Sequence, residues 1–199
     1  MIKYPNGTVK ANIQPKEAPK KNAKKSHLGV DFESLINESN QYYLLKNIAS
    51  IYKKPTPIQI VKVEYPSRNK AKITEAYYRM PSTTDYNGIY RGKYIDFEAK
   101  SCHTTSFPFN HIYVHQIKHL ETVQNMGGIS FLIIEFSMYH EVFLLPTTNL
   151  VNLYNDSLNG GRQSIPYDYF KQNGYSLKLG FNPRIDYLKA VDILIDNNK

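Results

Sequence analysis

The chain has 199 residues, of which 41% are hydrophobic and 21% are charged, and its formal net charge is +8. This size predicts one domain, and no apolar run could span a membrane, because the longest, Ile129–Phe136, has the length of a strand. The single Cys102 excludes a disulfide framework and a cysteine-rich zinc site and fits a reducing compartment, so we expect a cytoplasmic protein.

Positive charge is concentrated at the N-terminus. Residues 1–28 contain seven Lys and a single acid, Glu17, a net charge of +6, and they lack the apolar segment of a secretory signal. Prolines and few large apolar side chains leave this segment unable to bury enough surface to fold alone. We therefore expect a basic arm without fixed structure, followed by a domain over residues 29–199. Such an arm is either a solubilising tail or a grip for a polyanion.

A helix and a hairpin are predicted first in the folded part. Asp31 can cap a helix whose apolar residues recur at helical spacing and which ends by Lys54, because prolines follow. Two strand-like runs, Ile58–Tyr65 and Ala71–Tyr78, are joined by a four-residue link that contains proline. This pattern predicts a β-hairpin within residues 55–80.

Strands and helices alternate in the remainder of the chain. Asn87-Gly88 and Arg91-Gly92 are typical of turns and predict a second hairpin, and Asn110 is a candidate helix cap. The predicted strands are Tyr94–Ser101, Ile129–Phe136, Glu141–Leu145 and Tyr175–Leu179. The predicted helices are Ile112–Asn125, Asn149–Tyr154, Tyr167–Gln172 and Arg184–Ile195. This interleaving indicates an α/β layered fold.

The strand that begins at Tyr94 carries the most informative side chains. Because side chains alternate along a strand, it has an apolar face (Ile95, Phe97, Ala99) and a polar face (Asp96, Glu98, Lys100). Asp85 precedes this strand, and the hairpin between them can fold Asp85 back against Glu98. Asp96 either replaces Asp85 as a ligand or pairs with a basic side chain.

Two carboxylates beside a lysine fit a site for a hard cation. Oxygen ligands of this kind suit Mg²⁺, which also accepts a substrate phosphate. The metal would polarise the phosphoryl oxygen and lower the pKa of an attacking water, and Lys100 could orient that water or stabilise charge on the phosphorus. The alternative is an ordinary Glu–Lys pair on a surface strand, with Asp85 in an unrelated loop.

The first hairpin is strongly basic. Residues 53–79 carry a net charge of +5, since they contain seven basic residues and only two acidic ones, Glu64 and Glu75. The basic residues are Lys53, Lys54, Lys62, Arg68, Lys70, Lys72 and Arg79. Together with Tyr65 and neighbouring tyrosines they fit a surface that binds phosphates and stacks on unpaired bases. The alternative is an exposed hairpin whose lysines prevent aggregation at its edge.

The remaining candidate ligands do not complete a site. His111, His115 and His119 recur along one predicted helix, but no HExxH motif or thiolate accompanies them. We expect these histidines to be solvated or to face phosphate, and Cys102 to be a small buried thiol.

Several strings of this sequence resemble the RecU-type Holliday-junction resolvases of Gram-positive bacteria. Asp85, Glu98 and Lys100 have the form of the PD-(D/E)xK nuclease motif, with Thr84 in place of the usual proline. The longer strings that carry the resemblance are Met1–Gly7, Lys53–Val61, Ser82–Tyr90, Tyr94–Lys100, Thr105–Pro108, His115–Gln116 and Pro183–Tyr187.

The resemblance implies both a fold and an activity. The fold would be α/β, with a restriction-endonuclease-like mixed β-sheet flanked by helices and the hairpin protruding as a stalk. The protein would be a homodimeric endodeoxyribonuclease that resolves four-way junctions and other branched DNA by paired symmetric incisions, leaving 5′-phosphate ends, in recombination and repair. Mg²⁺, with Mn²⁺ as a substitute, would be held by Thr83, Asp85, Glu98 and Gln116, and Lys100 would stabilise the transition state.

The resemblance also implies partners and supporting residues. Glu33 would lie behind the metal ligands, as first-helix glutamates do in related nucleases, or it is an exposed helix acid. Thr84 is a further candidate behind the ligands, and Arg68 matches a residue tied to DNA binding or to modulation of the RecA recombinase. Branch-migration machinery is the other expected partner. We expect the protein itself to be associated with the nucleoid and not to bind membranes. Two alternatives stay open: a non-catalytic junction-binding or recombinase-modulating protein, and a nuclease of the same fold that cuts ordinary duplex.

Overall fold

The computed structural model describes residues 31–67, 70–79 and 83–197. The predicted basic arm, residues 1–28, and Arg68 lie outside these ranges. Within them, no helix has both the length and the apolar character needed to cross a membrane.

A six-stranded mixed sheet forms the centre of the domain. In spatial order its strands are β1 (Ser50–Lys53), β4 (Tyr86–Tyr90), β5 (Lys93–Cys102), β7 (Ile129–Phe136), β8 (Glu141–Pro146) and β10 (Tyr175–Leu177). Only β5 and β7 are parallel neighbours, and the other adjacent pairs are antiparallel. The predicted mixed sheet is confirmed.

Helices pack on both faces of this sheet. They are α1 (Phe32–Leu45), α2 (Val114–Asn125), α3 (Thr147–Leu158), α4 (Tyr167–Asn173) and α5 (Leu188–Asn197). One hydrophobic cluster joins α1 and α5 to the side of β5 that carries Phe97, and a second joins α2, α3 and α4 to the opposite side of the sheet. The apolar run Phe131–Ile134 within β7 follows from this arrangement, because a central strand covered on both faces needs no polar side.

The basic hairpin is a separate two-stranded sheet. Its strands, β2 (Ile58–Glu64) and β3 (Lys72–Tyr78), pair only with each other, and all their side chains except that of Val63 are exposed. The antiparallel register shifts on both sides of Lys62, which indicates β-bulges that increase the local twist. The predicted hairpin is therefore confirmed, and both of its faces are open to solvent.

The predicted first helix is wrong beyond Leu45. The chain turns through Asn47, whose φ of 55° lies in the left-handed region that asparagine tolerates, and then forms the edge strand β1. This strand pairs with β4, where Ile51 lies opposite Gly88. The predicted turn at Asn87-Gly88 is also wrong, because both residues lie in β4; a Cβ at Gly88 would lie 2.1 Å from the Ser50 carbonyl oxygen.

Two other helix starts move toward the C-terminus. Asn110 lies in a 3-10 turn, and α2 begins only at Val114. The last helix begins at Leu188 rather than Arg184, because Ile185 forms an isolated bridge with Leu179 in extended backbone. The short paired strands β6 (Ser106–Pro108) and β9 (Ser164–Pro166) were not predicted.

Candidate active site

The β4–β5 hairpin brings Asp85 to Glu98. Its turn at Arg91-Gly92 has positive φ at both residues, and the register pairs Tyr86 with Phe97, so Asp85 falls opposite Glu98. The Asp85 backbone N–H donates a hydrogen bond to Glu98 Oε2 at 3.0 Å. The prediction that the hairpin folds these two acidic residues together is confirmed.

Glu98 is a fully buried carboxylate between a negative and a positive charge. Lys100, two residues along the same face of β5, places Nζ 2.7 Å from Glu98 Oε1. Burial raises the pKa of Glu98 to about 7; the Lys100 ammonium opposes this rise, and the nearby Asp85 carboxylate adds to it. The Asp85 carboxylate therefore lies close enough to affect the ionisation of Glu98.

Further acidic residues lie near this pair. Burial raises the pKa of the Tyr86 hydroxyl, and the negative charges of Glu33 and Asp85 raise it further. Glu33 forms an ion pair with Lys53, and this hydrogen bond raises the pKa of Lys53. Glu33 thus lies near Asp85 with a partly exposed side chain and with its charge balanced by Lys53, and its support of the metal ligands stays a prediction.

The donor set fits a divalent cation at Asp85 and Glu98. Glu98 Oε1 is buried and contacts the Lys100 ammonium at 2.7 Å, which leaves a lone pair of this oxygen for a cation. Thr83 lies two residues before Asp85 with a half-buried side chain. Gln116 is buried on α2, where its Oε1 accepts the Tyr113 backbone N–H at 3.0 Å and so caps the helix. Within the described ranges, no group of three or more His, Cys, Asp or Glu side chains is arranged to hold a metal.

Asp96 pairs with a basic side chain, that of Lys54, which was one of its two predicted alternatives. Its carboxylate is fully buried and accepts hydrogen bonds from four side chains: Lys54, Thr84, Tyr94 and His119. Three of these donors bind Oδ2 and one binds Oδ1, so the carboxylate is committed to partners inside the domain. Thr84, the other residue predicted to support the metal ligands, belongs to this group and immediately precedes Asp85.

Two expectations about charged side chains are corrected here. Lys54 was predicted to contact DNA, but its ammonium is bound inside the domain by Asp96 and Thr84, at 2.8 and 2.9 Å. His119 was expected to be solvated or to face phosphate, and it contacts Asp96 instead. The position of Asp96 on the polar face of this strand, beside Glu98 and Lys100, was the sequence feature that indicated such partners.

The other predicted DNA-binding residues lie on the hairpin or at its base. The side chains of Lys62, Lys70, Lys72 and Tyr65 are exposed. Arg79 is also exposed, and it donates hydrogen bonds to Gln59 and, through its backbone, to Pro57. Cys102 is buried, as expected.

Comparison with known proteins identifies the family. Residues 27–193 match the family described as RecU, Recombination protein U. A Holliday junction resolvase RecU of Bacillus cereus is 46% identical over 195 residues, which cover 97% of this chain and 98% of the relative. One from Bacillus cytotoxicus is 45% identical over 195 residues, again 97% of this chain and 98% of the relative.

A solved structure is also similar, at lower likeness. It is that of Hjc, a Holliday junction resolvase from Archaeoglobus fulgidus, which matches 67% of this chain and 86% of its own, with a TM-score of 0.41 and 10% identity. That likeness is too low to bear on the fold. The match to the family over most of the chain, and the near full-length identity to its members, show that this chain belongs to the RecU family.

Proposed function

We propose that this protein is a Mg²⁺-dependent, structure-selective endodeoxyribonuclease that resolves four-way DNA junctions. RecU relatives that are 45% and 46% identical to it bear the name Holliday junction resolvase. The observation that carries the proposal is the convergence of Asp85, Glu98 and Lys100, joined by contacts of 3.0 and 2.7 Å at the Glu98 carboxylate. This set of side chains fits phosphodiester hydrolysis.

Each of these residues has a distinct part in the reaction. Asp85 and Glu98 would hold the divalent cation together with Thr83 and Gln116, whose Oε1 has a second lone pair besides the one that caps the helix. When bound, the cation polarises the phosphoryl oxygen and makes a water more acidic. Lys100 presents a positive charge beside Glu98, where it can orient the attacking water and stabilise the charge that develops on the phosphorus. The products would be 5′-phosphate and 3′-hydroxyl ends.

The hairpin would hold the junction beside this site. Exposed lysines on both strands can neutralise phosphates without reading sequence, and exposed tyrosines such as Tyr65 and Tyr78 can stack on unpaired bases where strands exchange. A homodimer with two such sites would cut two strands symmetrically, because a two-fold dimer matches the symmetry of a four-way junction. The setting would be recombination and repair at the nucleoid, with the RecA recombinase and branch-migration machinery as partners.

Replacing Asp85 by Asn, or Lys100 by Ala, tests the proposed chemistry. We expect either change to lower Mg²⁺-dependent cleavage of a synthetic mobile junction by roughly 100-fold or more, because each removes charge that acts at the phosphate. Junction affinity, measured by gel shift in Ca²⁺, should stay within about threefold, since the hairpin supplies most phosphate contacts.

The control and the alternatives use the same assay. Asp192→Asn, which weakens ion pairing with Arg91 at the surface, should cut like the wild type. Cleavage at the wild-type rate by Asp85→Asn would refute the site. Equal cutting of linear duplex would indicate a duplex nuclease, and binding without cutting in Mg²⁺ or Mn²⁺ would indicate a non-catalytic junction-binding protein.

A further inference from the structure

The two ends of the basic hairpin meet at one buried carboxylate. Lys54 precedes β2 and Thr84 follows β3, and both donate hydrogen bonds to Asp96. The Lys54 ammonium also donates to Thr84 Oγ1 at 2.9 Å, which joins the two ends directly. Lys54, Thr84 and Asp96 therefore form a closed triangle, which we call the root cluster.

The root cluster is largely buried. Asp96 is 0% and Thr84 3% exposed, and the Lys54 side chain is 18% exposed. Tyr94 and His119 donate further hydrogen bonds to Asp96, at 2.9 and 3.2 Å. Buried polar groups that are hydrogen-bonded to each other hold one arrangement strongly, because breaking such a contact leaves a buried polar atom with fewer partners.

The root cluster also adjoins the candidate metal ligands. Thr84 is the residue before Asp85, and Asp96 lies two residues before Glu98 on the same face of β5. The Lys54 backbone N–H donates a hydrogen bond to the Asp85 carbonyl at 2.7 Å. Asp85 is therefore joined to the root cluster twice, by its peptide bond to Thr84 and by this hydrogen bond to Lys54. Any shift of the hairpin root would therefore displace Asp85 relative to Glu98.

We propose that the root cluster is a positioning device for the cleavage reaction. Lys54, Thr84 and Asp96 hold Asp85 and the hairpin root as one unit, so that a hairpin seated on branched DNA sets the place of the metal-binding carboxylate. This inference rests on the proposed nuclease function. It assigns roles to three residues that do not themselves contact the reacting atoms.

A pair of substitutions at Thr84 tests this role. Thr84→Val keeps the shape but removes the hydroxyl that links Lys54 to Asp96, whereas Thr84→Ser keeps the hydroxyl. We expect Thr84→Val to lower junction cleavage and Mn²⁺ affinity, the latter measured by calorimetry without DNA, each by roughly 10- to 100-fold, as for other residues that orient metal ligands. Thr84→Ser should stay within about threefold of the wild type on both, while junction affinity is unchanged in each variant.

Hydrogen exchange gives a readout that does not depend on activity. The Asp85 amide, which is bonded to Glu98, should exchange faster in metal-free Thr84→Val than in the wild type or Thr84→Ser. Lys54→Met should behave like Thr84→Val, and it serves if Thr84→Val fails to fold. Arg91→Ala, which removes two surface ion pairs, is the control for general destabilisation.

The outcomes separate this inference from the proposed function. The positioning role is overturned if both Thr84→Val and Lys54→Met keep wild-type cleavage, Mn²⁺ affinity and exchange of the Asp85 amide. It is also overturned if Arg91→Ala shows losses as large as those of Thr84→Val. If the wild type fails to cut any junction, the proposed function fails, yet Mn²⁺ affinity and exchange still decide whether the root cluster positions Asp85.

Discussion

At the scale of single residues, Glu98 lowers the stability of the folded state. Its carboxylate is fully buried on β5 and faces the negative charge of Asp85. Lys100 offsets only part of this cost, so the pKa of Glu98 rises from an ordinary 4.5 to about 7. A folded state that prefers the protonated form of a carboxyl is destabilised when that group must ionise.

Replacing Glu98 by Gln should therefore raise stability in a pH-dependent way. The unfolded chain releases this proton near pH 4.5 and the folded chain near pH 7, so wild-type stability falls between these values as pH rises. Relative to the wild type, the variant should gain about 3 kcal/mol of unfolding free energy from pH 4.5 to pH 8, by the usual conversion of a pKa shift. Urea unfolding in EDTA at both pH values measures this gain, with Glu64→Gln on the exposed hairpin as the control. A gain that does not change with pH would contradict the assigned ionisation.

At the scale of elements, the hairpin depends on the domain for its stability. The hairpin has no core of its own, and a two-stranded ribbon in water is only marginally stable. Its attachment to the domain at Lys54 and Thr84 supplies order that the two strands alone lack. Its exposed lysines are thereby held where a polyanion can reach them.

Removing two hairpin lysines should weaken junction binding in a salt-dependent way. Each phosphate contact contributes about 0.9 to the slope of log affinity against log salt concentration, so the Lys62→Ala, Lys72→Ala double variant should lower that slope by about 1.8. Fluorescence anisotropy with a labelled junction over a KCl series measures the slope. Lys189→Ala, which removes an exposed lysine paired with Asp186, should leave it unchanged. An unaltered slope in the double variant would show that the hairpin does not bind phosphate.

At the scale of the whole molecule, the core and the site share strand β5. Phe97 stacks between Tyr86 and Phe131, with ring centroids 4.8 and 4.9 Å away, on the face opposite Asp96 and Glu98. The packing that stabilises the domain therefore also fixes the direction of Asp96 and of Glu98, a proposed metal ligand. A second copy of the chain would supply the second site that paired incision requires.

Mixed dimers test that requirement. If two sites act on one junction, dimers of one wild-type and one Lys100→Ala subunit, purified with two affinity tags, should nick a single strand and leave the opposite strand intact. Denaturing gels with each strand labelled in turn measure this, and homodimers of the wild type should cut both strands. Paired cuts by the mixed dimer, or a monomer in sedimentation, would contradict the dimeric mechanism.

The sequence alone was sufficient wherever the controlling interactions are local. The alternation of residues 94–101 predicted β5 and its two faces, and the short chain between Asp85 and Glu98 predicted their meeting. The hairpin and the central strand β7 followed from their composition. The family followed from strings of residues spread over most of the chain.

Tertiary structure decided what depends on distant partners. The residues around Ile51 suit a helix or a strand, and only pairing with β4 selects the strand. Lys54 and His119 are far from Asp96 in sequence, so their convergence could not be predicted from either segment by itself. Backbone propensities and alternation act between neighbours along the chain, whereas the burial of a charge is settled only when the folded chain brings its partners together.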